Sequence, residues 1–237
     1  MKDYEAYNDL KVPKGSKIIL RLDGRNFHSL SKELDLNRPF DLNFIQAMEN
    51  SAKAIFNEFS PSFVYVFSDE INILLKDIPF SGRIEKLNSV FPSLASSSLT
   101  IELIKSFNSS FNSFNPILDK KIPISFDSRI IPVAIHEIPN YFKWRQDEAW
   151  RNCVNAYGYW TLRKDLSTKD TVEKLKDLKS SDIHELLFQK GINLNNLPGY
   201  EKRGIAIYKF NNNKNKLNID KELPIFKEEF FKELDII

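Results

Sequence analysis

Phe63-Val64-Tyr65-Val66-Phe67-Ser68-Asp69-Glu70-Ile71-Asn72-Ile73-Leu74-Leu75 reads as two buried strands joined by a tight acidic turn. Apolar runs of this length, bounded by turn residues, fit strands shielded from water. A second acidic signature lies upstream. The strand Lys17-Ile18-Ile19-Leu20 runs into Arg21-Leu22-Asp23-Gly24-Arg25-Asn26-Phe27-His28. Taken singly, each acidic segment is an ordinary turn, because Asp, Ser and Gly favour turns. Taken together they point to a magnesium site for phosphoryl chemistry. Mg²⁺ takes oxygen ligands, usually one or two carboxylates completed by substrate phosphates and water.

The rest of the first 135 residues arranges itself around these two strands. A helix is expected over 41–58, where Leu42, Ile45, Met48, Ala52, Ile55, Phe56 and Phe59 recur at helical spacing, with Asp41 as its cap. The hairpin spans 62–76. A second helix fits 82–106, kinked or divided at Pro92, and a fourth strand fits 129–135. The Asn- and Ser-rich stretch 106–121 reads as a surface loop. The order βαββαβ is a ferredoxin-like split unit, the plan of polymerase and cyclase palms. In that plan strand one ends beside the turn between strands two and three, so Asp23 and Asp69 meet. The fold class is therefore α+β: a palm over 1–137 and a helical elaboration over 138–237, packed as one unit. Within the elaboration, helices fit 140–164, 169–179 and 182–189, a strand fits 203–210, and an amphipathic stretch covers 225–234. The Trp and Tyr residues of 141–160 are at helical spacing and read chiefly as core.

Composition narrows the class further. The chain has 237 residues, 42% apolar and 13% aromatic, enough for a sizeable core in one large domain. No run approaches the ~18 apolar residues of a membrane span, and Met1-Lys2-Asp3-Tyr4-Glu5 lacks a leader pattern. An intracellular protein is expected, cytosolic, with a mitochondrial site left open. Cys153 is the single cysteine, which excludes an internal disulfide and a Cys-based zinc cage. At a net charge of +2, affinity for nucleic acid has to come from local clusters. Those clusters are Arg83 with Lys86, Arg145 with Arg151, and Lys202 with Arg203.

These residues resemble the tRNA-histidine guanylyltransferase superfamily of 3′-to-5′ nucleotide-adding enzymes. The resemblance rests on Arg21–His28, Arg38-Pro39-Phe40-Asp41, Ser68-Asp69-Glu70 and Arg83-Ile84-Glu85-Lys86. It continues through Phe126–Arg129, Tyr141–Gln146, Asn152 to Asn155 and Lys202-Arg203-Gly204. It implies two Mg²⁺ on Asp23, Asp69 and the Gly24 carbonyl, with Glu70 as a third acid that either tunes the metals or solvates the turn. It also implies ATP and GTP or other NTPs as substrates, bound around Gly24, Arg25, Asn26, Phe27, His28, Asp41 and Ser68. The amides after Asp23 suit a triphosphate, and Gly24 clears its approach. Arg38, Arg83, Lys86, Arg129, Arg145, Asn152, Asn155, Lys202 and Arg203 are then expected to face triphosphate or RNA, with Arg83 and Lys86 on one helix face.

The implied reaction starts with ATP adenylylating a 5′-monophosphorylated RNA. The 3′-hydroxyl of an incoming NTP then displaces AMP. The implied partner is the 5′ end of tRNA, and the implied assembly is a homotetramer built from dimers. One stretch departs from the eukaryotic-type pattern: Trp150-Arg151-Asn152-Cys153-Val154-Asn155-Ala156 replaces a His-Ile-Asn-Asn-Leu-Tyr-Asn signature. The replacement resembles the archaeal-type and like-protein branch, whose members add nucleotides opposite a template and repair truncated tRNAs. Addition of a single G to tRNA-His is the alternative. A palm-type nucleotide cyclase is more remote, because Val66-Phe67 stand where a cyclase hairpin carries Gly-Gly. A silent RNA-binding module is disfavoured by the three intact acids.

Overall fold

The computed structural model describes residue 1 and residues 4–108, 115–210 and 216–237. The first half forms β1 (Lys17–Gly24), α1 (Phe27–Glu33), α2 (Leu42–Phe59), β2 (Phe63–Phe67), β3 (Glu70–Leu74), α3 (Ile84–Asn108), α4 (Pro116–Asp119) and β4 (Phe126–Val133). The second half forms α5 (Ile138–Leu162), α6 (Thr168–Lys176), α7 (Ser180–Gln189), α8 (Gly199–Arg203), β5 (Ile205–Lys209), β6 (Leu217–Asp220) and α9 (Glu228–Glu233). Among the described residues, no helix is long and apolar enough to cross a membrane.

Six strands make one antiparallel sheet in the order β4-β1-β3-β2-β5-β6. The first four, 4-1-3-2, are the ferredoxin-like palm. β5 and β6 then continue the sheet outward from β2, so the second half extends the palm's sheet as well as packing on it.

Strand periodicity explains why β2 is apolar throughout and why β3, apart from Glu70 and Asn72, is too. Successive side chains point to opposite faces, and here both faces are covered. Val64, Val66, Ile71 and Ile73 enter a core with Ala52, Ile55 and Phe56 of α2 and Leu87 and Phe91 of α3. Phe63, Tyr65 and Leu74 enter a second core with Ile138 and Phe142 of α5 and Phe226 and Phe231 near the C-terminus. A smaller third cluster joins Val154 of α5 to Ile183 and Leu187 of α7.

Several boundaries differ from the sequence expectation. Helix α3 runs unbroken through Pro92. Leu87, Phe91, Ala95, Leu99 and Leu103 recur every fourth residue and are all buried, and Phe91 stacks on Phe59 of α2 at 4.1 Å between ring centroids. That continuous packed stripe outweighs the one backbone bond a proline removes. Strand β4 begins at Phe126, not 129, because it pairs with β1 over the full length from Lys17↔Val133 to Gly24↔Phe126. The polar stretch 106–121 holds the short helix α4, capped by Asn115, and its residues 109–114 lie outside the described residues. Strand β6 had no counterpart in the expectation. It is short and half-buried, so it carries little hydrophobic signal.

Phe63 is fully buried and its ring lies within 6.1 Å of the rings of Phe142, Tyr208, Phe226, Phe230 and Phe231. Phe63→Ala is expected to lower unfolding free energy in urea by about 3–5 kcal/mol. A loss below about 1 kcal/mol would contradict its place at the centre of the second core.

Candidate active site

The site begins with the two-residue turn between β2 and β3. Phe67 pairs with Glu70, which leaves Ser68 and Asp69 as the loop. Ser68 adopts φ 49°, the left-handed conformation that hairpins of this length require. The Ser68 hydroxyl donates to Asp69 Oδ1 at 2.9 Å. The Gly24 amide donates to the Asp69 carbonyl at 3.1 Å, which fastens the turn to the end of β1. Asp23 is then directly across the ladder from Glu70 on β3 and from Asp127 on β4. The strand end and the turn meet as the split βαβ plan requires.

Asp69 is half-buried, and burial, together with Asp23 and Glu70 nearby, pushes its carboxyl above the ordinary value against the Ser68 hydrogen bond. Arg129 is the cation at hand, 3.9 Å from Asp23 on an exposed edge, where an ion pair is weak. Crowded carboxylates with little opposing charge are suited to a divalent cation. Among the described residues no group of three or more His, Cys, Asp or Glu is arranged to hold a metal ion by itself, so an all-protein cage is absent. Two aspartates completed by backbone, phosphate and water oxygens fit Mg²⁺.

Glu70 does not solvate the turn, one of the two roles expected of it. Arg145 Nε donates to Oε1 at 2.9 Å and its Nη2 to Oε2 at 2.8 Å, while Asn72 Nδ2 donates to Oε1 at 2.7 Å. The Tyr141 hydroxyl donates to Asn72 Oδ1 at 2.7 Å and closes the network. Burial raises the Glu70 carboxyl, opposed by Asn72 and Arg145. Arg145 is itself buried, its guanidinium 4.4 Å from the Trp144 ring and 5.4 Å from that of Phe67. Arg145 therefore faces Glu70 and not a phosphate, and Glu70 is a buried anchor instead of a solvated turn residue.

Next to the turn is a cavity of about 410 Å³ lined by Asp69, Ser68, His28 and Phe27, the 36–41 loop, Asn152 and Asn155 of α5, and Tyr200 and Glu201 of α8. The loop is braced against α5. Arg38 donates to Ser31 Oγ at 2.9 Å and lies 5.0 Å from the Trp160 ring, so the structure holds it in the scaffold. Asp41 caps α2 through the Phe44 amide at 2.9 Å and holds the Asn37 amide and side chain at 3.0 and 2.9 Å. It lines the cavity, with both oxygens engaged.

Other expected contacts are placed elsewhere. The amides of Gly24 and Arg25 bond to the carbonyls of Asp69 and Ser125, so the anion-binding part of this turn narrows to Asn26–His28. A Cβ on Gly24 would sit 2.5 Å from the Phe27 ring, so glycine is required there by packing, whatever it offers a ligand. Arg83 precedes α3 with extended backbone and bonds Asn8 at 3.2 Å. It does not share a helix face with Lys86, and neither lines the cavity beside Asp69. Lys202 and Arg203 donate to the carbonyls of Asn195 and Leu223, each at 2.8 Å, and so stitch loops together. Cys153 is buried, which pushes its thiol up to about 12. Glu201, which is not among the expected site residues, lines the cavity and accepts from the Tyr157 hydroxyl at 2.6 Å.

With this geometry in view, the relatives are informative. The family model described as tRNAHis guanylyltransferase matches residues 1–134, and that of its C-terminal domain matches residues 136–233. The tRNA(His) guanylyltransferase of Debaryomyces hansenii is 32% identical over 214 residues, 87% of this chain and 78% of that one. A Drosophila melanogaster relative, also 32% identical, is spanned to 66% of its length. A bacterial tRNA(His) guanylyltransferase-like protein in complex with ATP aligns at a TM-score of 0.81 and 27% identity, over 100% of this chain and 96% of that one. One in complex with GTP aligns at 0.71 and 25%, with the same coverage.

Removing Arg145 alone strands the Glu70 charge in the core. Arg145→Met is expected to cost about 3–5 kcal/mol in urea unfolding, and pairing it with Glu70→Met is expected to recover most of that loss. Additive effects of the two substitutions would contradict the pairing. Matched over both halves by the same family, and with the palm's acidic turn in place, the chain belongs to the tRNA-His guanylyltransferase family of nucleotidyltransferases.

Proposed function

We propose that this protein adds nucleotides to the 5′ end of tRNA in the 3′-to-5′ direction, opposite a template strand, as a repair activity. The observation that carries the reading is the turn that brings Asp69 to the end of β1 near Asp23 while Asp69 also lines a cavity of about 410 Å³. Templated addition is favoured by Trp150–Ala156, which departs from the eukaryotic-type signature. Addition of G to tRNA-His is the second reading, favoured by the names of the curated relatives.

In the first step an oxygen of the RNA 5′-monophosphate attacks the α-phosphorus of ATP and pyrophosphate leaves, which caps the RNA with AMP. In the second, the 3′-hydroxyl of the incoming NTP attacks the RNA 5′-phosphorus and AMP leaves. Both steps displace an oxygen from phosphorus, so one constellation serves both. Asp23 and Asp69, with the Gly24 carbonyl, would hold two Mg²⁺, which when bound would stabilise the charge that develops in each displacement. The amides of Asn26–His28 and the exposed His28 side chain receive phosphate oxygens. Glu70, fixed by Arg145, keeps the turn from moving Asp69 out of register. Asn152 and Asn155, exposed on α5, face the nucleoside or the RNA end.

The test uses a 5′-monophosphorylated tRNA lacking its first nucleotide, with ATP, Mg²⁺ and each labelled NTP in turn. The proposal predicts incorporation only of the nucleotide that pairs with the opposing 3′-strand base. It also predicts that Asp69→Ala reduces the rate by more than the ~10–100-fold typical of losing an outer-shell metal partner. Addition of G alone, to full-length tRNA-His and regardless of pairing, would move the assignment to the second reading.

A further inference from the structure

Helix α8 is little more than one turn, too short to hold its shape unaided, and the structure ties down four of its five residues. The Gly199 amide donates to Glu222 Oε1 at 2.9 Å. A Cβ on Gly199 would lie 2.6 Å from the Lys221 carbonyl, so the turn is seated directly on that backbone. Glu201 Oε2 accepts a 2.6 Å hydrogen bond from the Tyr157 hydroxyl. Lys202 and Arg203 donate to the Asn195 and Leu223 carbonyls, and the Arg203 carbonyl accepts from the Tyr65 hydroxyl at 2.8 Å. Tyr200 is the fifth residue. It lines the cavity beside Asp69, and among the described residues its hydroxyl has no hydrogen-bond partner.

The phenylalanine rings of that cavity are already paired. Phe27 lies 6.0 Å from the Phe44 ring and 5.2 Å from that of Phe126. Phe40 lies 5.9 Å from Tyr157. Phe67 lies 5.6 Å from Tyr65, with the Arg145 guanidinium 5.4 Å away. The half-buried Tyr200 ring has no ring or guanidinium partner among the described residues. The cavity's unpaired ring therefore stands on a turn fixed through each of its other residues.

We infer that Tyr200 stacks on the base of the nucleotide in this cavity without reading which base it is, an inference that rests on the proposed binding of a nucleoside triphosphate there. Asp69, Ser68 and His28 line the part of the cavity nearest the acidic turn, where the phosphates are placed, and Tyr200 lines it from α8. Every base has a π-face, so a stacked ring holds purines and pyrimidines alike. Stacking also leaves the Watson–Crick edge free. The protein then supplies affinity through the face, and an opposing RNA strand supplies identity through the edge. The same ring serves both steps of the proposed reaction, because it accepts the adenine of ATP as readily as whichever base the template calls for. Tyrosine suits the task, since two side-chain torsions give a broad flat contact with little freedom to lose.

Calorimetric titration of the whole chain with ATP, GTP, CTP and UTP in Mg²⁺, without RNA, tests the inference, with inorganic tripolyphosphate as the ligand that has no base. Tyr200→Leu should weaken all four nucleotides about tenfold and leave tripolyphosphate unchanged. Tyr200→Phe, which keeps the ring, should bind all four within about twofold of the unaltered protein. Unchanged tripolyphosphate binding is a readout that separates loss of a base contact from a disturbed fold. Nucleotide affinities that do not change in Tyr200→Leu, a loss confined to one base, or an equal loss for tripolyphosphate would overturn the stacking role and leave the nucleotide cavity standing. Failure of all four nucleotides to bind the unaltered protein would overturn both.

Discussion

The buried ion pair between Glu70 and Arg145 fixes the relation between the sheet and α5, and the site depends on that relation. Glu70 opens β3 directly after Asp69, and Arg145 is in the first half of α5. Their bidentate contact joins the acidic turn to the helix whose later turns carry Asn152 and Asn155. Pairing two charges in a core does little for stability by itself, because desolvation offsets the attraction. Its consequence here is positional. With Asn72 and Tyr141 completing the network, the turn has one orientation, and Asp69 is held toward Asp23 and the cavity.

The palm was legible in the sequence because its signals are local. The first arm of the hairpin is apolar on both faces and the second on one, and α2 shows a clear helical stripe capped by Asp41. The strand end and the turn were expected to meet, and the ladder brings them together. What sequence could not supply was the partner of each charged group. Arg145, Lys202 and Arg203 looked like phosphate contacts by their charge, yet each is engaged by a carboxylate or carbonyl up to 75 residues away in the chain. Asp41 was read as both a cap and a nucleotide contact, and the cap accounts for its hydrogen bonds. Glu201 carried no motif, and its place in the cavity wall is set by a tyrosine 44 positions earlier.

The second half of the chain is more than a cover for the palm. β5 and β6 lengthen the sheet, and α8, just before β5, brings Glu201 to the cavity that the palm opens with Asp69 and His28. The cavity is thus walled by residues of both halves of the chain. A long helix, α5, packs on the sheet at one end and against α7 at the other, so both sets of residues share one rigid support.

The central claim is that the turn places Asp69 beside Asp23 so that the two carboxylates hold divalent ions together. Electron paramagnetic resonance titration with Mn²⁺ in place of Mg²⁺, with ATP bound, tests it most directly. The account predicts that Asp23→Asn and Asp69→Asn each reduce the number of tightly held Mn²⁺ ions while the protein remains folded. Unchanged Mn²⁺ stoichiometry and affinity in both variants would contradict it.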